Sequence, residues 1–421
     1  MNAEGPTNKS EGGIDTAAKL GLPGTGSSSP SAPIGDWKIT FSGMEKKILS
    51  TVVALVLIMI AFGYLTNGIF FEPRNLSNLL RQTSINGILA VGMTWVILLG
   101  GVDLSVGSVT ALVGVIIAIA QSSWGWGTTG FVSEIFLTFL LAIGSGILVG
   151  AFNAAWIAGL NIHSFVITFG MMVIARGLGL ILSKGSTIAL PRESSLIDLG
   201  AGYIGNQATA IILFTSAILY IAYTLWDERK GRSQKSRTPT WRVIAKIAGV
   251  SVVTIALYYV CSSYQGLPTP VLIFGFIALL GSWILARTRF GRYIYAVGGN
   301  TEAARLAGIP VKKVIFLVFA SMGTLAGVAG TILTARLASA APTAGANFEL
   351  DAIASVVIGG TSLKGGKGSV YGSIIGALII SSLNNGLNLL NVSEFYQMPL
   401  KGAIVIMAVA IDSIVEKRKD I

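Results

Sequence analysis

The chain has one histidine, one cysteine and few charges: only 12% of its 421 residues are Asp, Glu, Lys or Arg. Each scarcity excludes something. The lone Cys261 admits no intrachain disulfide and no cysteine-based metal cluster. With His163 as its single histidine, in the turn Asn161-Ile162-His163-Ser164, the chain lacks the base, haem ligands or metal ligands that a membrane-embedded hydrolase or redox enzyme needs. His163 is expected to be an interfacial polar residue. No catalytic residue, metal site or cofactor is expected. Nucleotide motifs are missing too. The string from Gly200 to Gly205 has dinucleotide-type glycine spacing but no strand before it and no acidic residue on a second strand. The string from Gly365 to Ser369 lacks both the upstream glycine of a phosphate loop and a Ser or Thr after Lys367. Any ATP used must be hydrolysed by another polypeptide.

Apolar sequence is what the chain has in abundance. Hydrophobic residues make up 52% of it, and the mean hydropathy of +0.73 is beyond what a domain with a water-facing surface carries. About 20 apolar residues cross a hydrocarbon core about 30 Å thick. Runs of that kind predict an all-α polytopic membrane protein with spans over 49–70, 83–100, 106–120, 135–158, 164–183, 207–226, 242–261, 268–287, 314–337, 350–360, 369–390 and 398–415, of which 106–120 and 350–360 are short. Glycines scattered through them, such as Gly144, Gly146 and Gly150, point to close helix contacts or broken helices.

Outside the spans, residues 1–43 are rich in Gly, Ser, Pro and Thr and predict a disordered cytoplasmic tail without the apolar core of a signal peptide. The membrane-embedded body is expected over 44–416 and a short cytoplasmic tail over 417–421. The net charge of +11 is not a nucleic-acid signal, because its distribution follows the membrane. Basic residues cluster in 226–242, in 288–313, at Lys46 and Lys47 and at Lys417 to Lys419, which an even number of spans puts on one side. By the positive-inside rule that side is the cytoplasm, with both termini in it. The loops 184–206 and 338–352 then face outward.

Two places carry chemistry. In the segment from Gly291 to Pro310, Asn300 or Thr301 can cap a helix, Glu302 favours its positive end, Ala303, Ala304 and Leu306 propagate it, and Gly308 and Pro310 stop it. So short a helix needs a partner surface to be stable, which suggests a plug that docks into a cytoplasmic subunit. The other place is a pair of interrupted spans. Residues 97–109, with Gly100, Gly101, Asp103 and Ser105, and residues 357–370, with Gly359 and Gly360, share an apolar run, Gly-Gly, a Leu and then Gly-Ser-Val, as a weak internal repeat. Matching breaks in two halves point to a translocation site. An Asp at bilayer centre costs roughly 2.5–3.5 kcal/mol, so Asp103 must be paired, near an interface or facing water; a pathway role and a helix-capping role both fit. Asn153, Asn384, Asn385 and Asn388 are further intramembrane polar groups, suited to hydrogen bonds between helices or to contact with a polar solute.

The strings from Gly100 to Ser108, Tyr293 to Ile309 and Glu349 to Leu363 together resemble the permease family of bacterial ribose- and xylose-type ABC importers, over about residues 49–415. The resemblance implies that Glu302 to Gly308 couples the permease to its ATPase. It also implies that the chain is one half of a permease dimer, most simply a homodimer, in the bacterial inner membrane, fed by an extracytoplasmic sugar-binding protein. Two extra spans around the basic loop 226–242 look like the xylose branch. A neutral sugar calls for uncharged polar groups and aromatics along its path. The rival class is an ion-coupled secondary transporter, for which Asp103 is the central acidic candidate.

Overall fold

The computed structural model describes residues 1–2, 38–233 and 240–417. Most of the expected tail, the centre of the basic loop 226–242 and residues 418–421 lie outside the described residues. The statements below concern the unit from Met44 onward.

Every expected span falls on a helix. In chain order these are α1 (Lys38–Leu65), α2 (Pro73–Leu98), α3 (Val106–Ser122), α4 (Phe131–Leu160), α5 (Ser164–Ser183), strand β1 (Ile188–Ala189), α6 (Leu196–Ala201), α7 (Asn206–Ser233), α8 (Thr240–Ser262), α9 (Thr269–Arg287), α10 (Arg289–Gly299), α11 (Thr301–Leu306), α12 (Val311–Leu337), strand β2 (Ser339–Ala340), α13 (Phe348–Ile358), α14 (Val370–Leu389) and α15 (Glu394–Lys417). Among the described residues, eight helices are long and apolar enough to cross a bilayer. The fold is therefore all-α and polytopic.

Small residues set the packing. A Cβ added at Gly146 would sit 2.3 Å from the Gly323 carbonyl oxygen, and one at Gly323 only 2.1 Å from that of Gly146. Here α4 and α12 meet backbone to backbone, the arrangement that supplies van der Waals attraction between helices where lipid removes the hydrophobic driving force. The interior of α2, from Ile88 to Leu98, is buried throughout. By contrast α7 and α8 pack on one another and bury little else, as an inserted hairpin would.

Connections collect at two ends, as the alternating topology requires. At one end β1 pairs antiparallel with β2, Ile188 opposite Ala340, so the segments 184–206 and 338–352 come together. Tyr203 bridges to Pro268 at the same end. At the other, Ser164 Oγ accepts from the Val102 amide at 3.0 Å, the Gly366 amide donates to the Leu98 carbonyl at 2.9 Å, and Tyr295 Oη on α10 donates to the Gly368 carbonyl at 2.8 Å.

The internal repeat exists in backbone geometry, but its register differs from the sequence match. Gly100 at φ +89° and Gly360 at φ +88° are the equivalent positions. Each follows a helix and donates to the carbonyl three residues back, Ile97 and Val357, while the next amide reaches Val96 or Val356. This is the same left-handed helix stop built twice. Gly100 thus corresponds to Gly360, one residue past the Gly359 of the sequence alignment. Ser105 precedes α3 as Ser369 precedes α14, so Gly107 and Ser108 lie inside a helix and are not the counterparts of Gly368 and Ser369.

Candidate functional site

At the β1–β2 end, α2, α13, α14 and α15 enclose a cavity of about 420 Å³ with polar walls, Gln82, Asn86, Asp351, Asn384 and Asn388 among them. It owes its existence to α13. Eleven residues rise about 16 Å, half a hydrocarbon core, so the chain before it must reach the helix without being helical. Residues 341–347 do this as a run of turns, with Gly345 at φ +68° and Asn347 at φ +66°. The run descends far enough for the Gly345 carbonyl to touch Gly107, in the first turn of α3. Arg176 of α5 donates to its Pro342 and Ala344 carbonyls at 2.6 and 3.0 Å. Irregular backbone at this depth is tolerated because part is satisfied by Arg176 and part lines the cavity.

Within the cavity Asp351 accepts from Lys401 Nζ at 3.1 Å and from Asn384 Nδ2 at 3.0 Å. The two charged side chains are 7% and 19% exposed, so the pair is largely withdrawn from solvent. Either partner alone would be an uncompensated buried charge. Asn86 Nδ2 donates to Ser355 Oγ at 3.2 Å, and its Oδ1 is a buried acceptor without a partner among the described residues. The arrangement offers a small ligand amide donors and acceptors around one ion pair and the Arg336 guanidinium, suited to a hydroxylated molecule.

The expected pathway residues separate into two groups. Asn384 lines the cavity, whereas neighbouring Asn385 faces α2 and forms a reciprocal amide pair with Asn75, 2.9 Å in both directions. Gly100, Gly101, Asp103, Ser105, Asn153, Gly359 and Gly360 lie toward the α10 end. Asp103 accepts from the amide and hydroxyl of Ser105 at 2.8 and 2.6 Å, a local turn at the start of α3. Asn153 reaches the same hydroxyl from α4 at 3.2 Å. The space among these three leaves no room for a water molecule. Gln82 and Lys401 escaped the sequence reading, which places Asp351 and the segment 341–347 only in an outward-facing loop. Two signals for them exist: the run 350–360 is too short to span and follows Pro342, Gly345 and Asn347, and Lys401 interrupts the last apolar run.

At the α10 end the short helix forms as expected. Asn300 Oδ1 accepts from the Ala303 amide at 2.9 Å, and Gly308, at φ +79°, ends the helix with the Ile309 amide bound to the Ala304 carbonyl at 3.0 Å. Ala304 is buried, while Thr301, Glu302, Ala303 and Gly308 are exposed. Glu302 pairs with Arg305 on the surface. Leu306 is 82% exposed, an unpaired apolar knob. What sequence did not anticipate is α10, which buries Ile294 and Val297 and carries α11 at its C-terminal end. A Cβ at Gly298 would lie 1.7 Å from the Leu98 carbonyl oxygen and 2.9 Å from the Gly366 amide, so α10 touches both interrupted connections at once. Burial pushes the Tyr295 phenol up to about 12.

These two ends can be set beside known proteins. Residues 75–409 match the family described as branched-chain amino acid transport system / permease component. The chain is 40% identical over 370 residues to the xylose transport system permease protein XylH of Haemophilus influenzae, covering 87% of this chain and 96% of that one. Against XylH of Escherichia coli K12 the identity is 39% over 386 residues, 90% and 95% of the two chains. The ribose import permease protein RbsC of Escherichia coli K12 is 40% identical over 370 residues, 88% and 94%. No solved structure matches. The chain therefore belongs to the branched-chain amino acid transport system / permease component family, as a ribose/xylose-type ABC permease.

Proposed function

We propose that this chain is the membrane-spanning subunit of a bacterial inner-membrane importer and carries a monosaccharide, D-xylose first among candidates, across the bilayer. The observation that carries the reading is the mechanical continuity of α13: Asp351 and Asn384 stand in the cavity at one end of it, and Gly359 and Gly360 at the other abut the connection held by α10. The α10–α11 unit is the docking element for a separate ATPase, with Leu306 and the capped turn from Asn300 to Gly308 as its contact. The β1–β2 end faces outward and receives an extracytoplasmic sugar-binding protein on 184–206 and 338–352; both termini are cytoplasmic, and a second copy of the chain completes the pathway. Gly100, Gly101, Asp103, Ser105, Asn153, Gly359 and Gly360 form the inner closure of that pathway. Movement of α10 by the ATPase shifts the two breaks and, through α2 and α13, alternately opens the cavity and the inner closure. Xylose is favoured over ribose by the α7–α8 hairpin, which resembles the xylose branch; sequence identity does not separate the two sugars.

The test is ATPase activity of the chain reconstituted with its ATPase, with and without a binding protein loaded with xylose or ribose. Stimulation by the xylose-loaded protein above that by ribose supports both the role and the sugar. Absence of association and of stimulation would favour the rival ion-coupled transporter, for which the Asp351–Lys401 pair, not Asp103, would be the coupling group.

A further inference from the structure

A second pocket, of about 470 Å³, opens further out along α2, with Glu72, Arg74, Asn78, Arg81, Tyr203 and Tyr264 in its wall. One face of α2 serves both spaces. Asn75 and Asn78 line the outer one, Gln82 and Asn86 the inner, at the three- and four-residue steps that keep side chains on one side of a helix. The two meet at Arg336, which lines the inner cavity and donates from Nη2 to Asn78 Oδ1 at 3.0 Å.

The outer pocket is pre-ordered. Tyr203 Oη accepts from Ser77 Oγ at 3.3 Å, its ring carries the Arg81 guanidinium 4.3 Å from the centroid, and Tyr264 meets it edge-on at 5.7 Å and 78°. Arg81 is tethered to the Ala201 carbonyl, yet its Nε is buried without a hydrogen-bond partner among the described residues. Aromatic rings beside a fixed guanidinium, fixed amides and the exposed Glu72 carboxylate suit a neutral polyhydroxylated ring, whose C–H face lies on the aromatic while adjacent hydroxyls bridge the polar groups.

We propose that this pocket is an outer sugar-receiving site, separate from the inner cavity, and that the Arg336–Asn78 hydrogen bond is the latch between them. The ligand class rests on the sugar-permease reading above. A hydroxyl that donates to Asn78 Oδ1 and accepts from Arg336 replaces the latch bond, so loading the outer site opens the way inward. Arg336 keeps a partner throughout, which avoids the cost of an unpaired buried charge.

The latch can be tested without transport. In a Cys261→Ala background, Ser381→Cys puts a thiol in the inner cavity, and its rate of labelling by a membrane-impermeant methanethiosulfonate, added on the outer side of sealed vesicles, reports access. Asn78→Ala should raise that rate about tenfold, the scale of one charge-assisted hydrogen bond. Free xylose should raise it in the Asn78 chain as well, and Tyr264→Leu should demand about tenfold more sugar for the same rise over its own sugar-free rate. An unchanged rate in Asn78→Ala overturns the latch. Sugar-insensitive labelling in a chain that does take up xylose overturns the receiving site, as does a Tyr264→Leu chain that loses only its response to the binding protein, since the pocket would then be a docking face. Rapid labelling of Asn78→Ala in a chain that, with its partners, takes up neither xylose nor ribose would refute the sugar reading and leave the latch standing.

Discussion

At the α10 end the connections 99–105 and 359–369 meet backbone to backbone, with Gly298, Gly359 and Gly365 admitting no side chain and Asp103 held in a local turn. Around the cavity at the β1–β2 end, the same helices α2, α13 and α14 stand apart, and side chains carrying amides and charges fill the rim. Glycine density therefore marks where the protein is tightly closed, and polar side chains on apolar helices mark where it is open. Helix breaks alone do not distinguish the two. An 11-residue helix does, because its length forces irregular backbone into the bilayer and that backbone needs either a partner or a cavity.

The contrast can be broken most forcefully at the open end. Asp351→Ala leaves Lys401 without its anion and should cost about 3–5 kcal/mol of stability, read as a lowered midpoint in thermal unfolding of the purified chain. Combining Asp351→Leu with Lys401→Met should recover most of that loss while depriving the cavity of its ion pair; an equal loss in the double variant would mean the pair is not coupled. At the closed end Gly298→Val forces a side chain against the Leu98 carbonyl and should cost about 1–3 kcal/mol by overpacking. It should also sever ATPase stimulation from sugar, which a merely destabilised chain held at low temperature would retain. A smaller effect is expected for Asn300→Ala, which removes the cap of α11 at about 1 kcal/mol; Asn300→Asp should restore it. Leu306→Asp lies at the bottom of the scale for stability, within about 0.5 kcal/mol, but should weaken association with the ATPase in co-purification. Undiminished association would remove Leu306 from the docking surface.

Much of this was legible beforehand, for identifiable reasons. Spans announce themselves through apolar length, and Asn300, Glu302 and Gly308 through cap chemistry, both of which are local. The pairing of Gly100 with Gly360 was visible only approximately, since two extra residues in the second connection let Gly-Ser-Val align one turn away from its structural counterpart. Asp351 and Lys401 were not connected because fifty positions and a whole helix separate them, and nothing local tells an Asp at the start of a helix from a cap. Asn384 and Asn385 show the limit most plainly. Adjacent on α14, they project in different directions, and only the positions of α2 and α13 decide that one meets Asp351 and the other Asn75.

The most direct test of the link between the two ends uses the Ser381→Cys thiol in the Cys261→Ala background, reconstituted with the partner ATPase, and compares its labelling rate from the cavity side with and without ATP. The account predicts that nucleotide changes the rate and that Gly298→Val abolishes the change while labelling itself persists. A rate indifferent to ATP in vesicles that still accumulate sugar would contradict it.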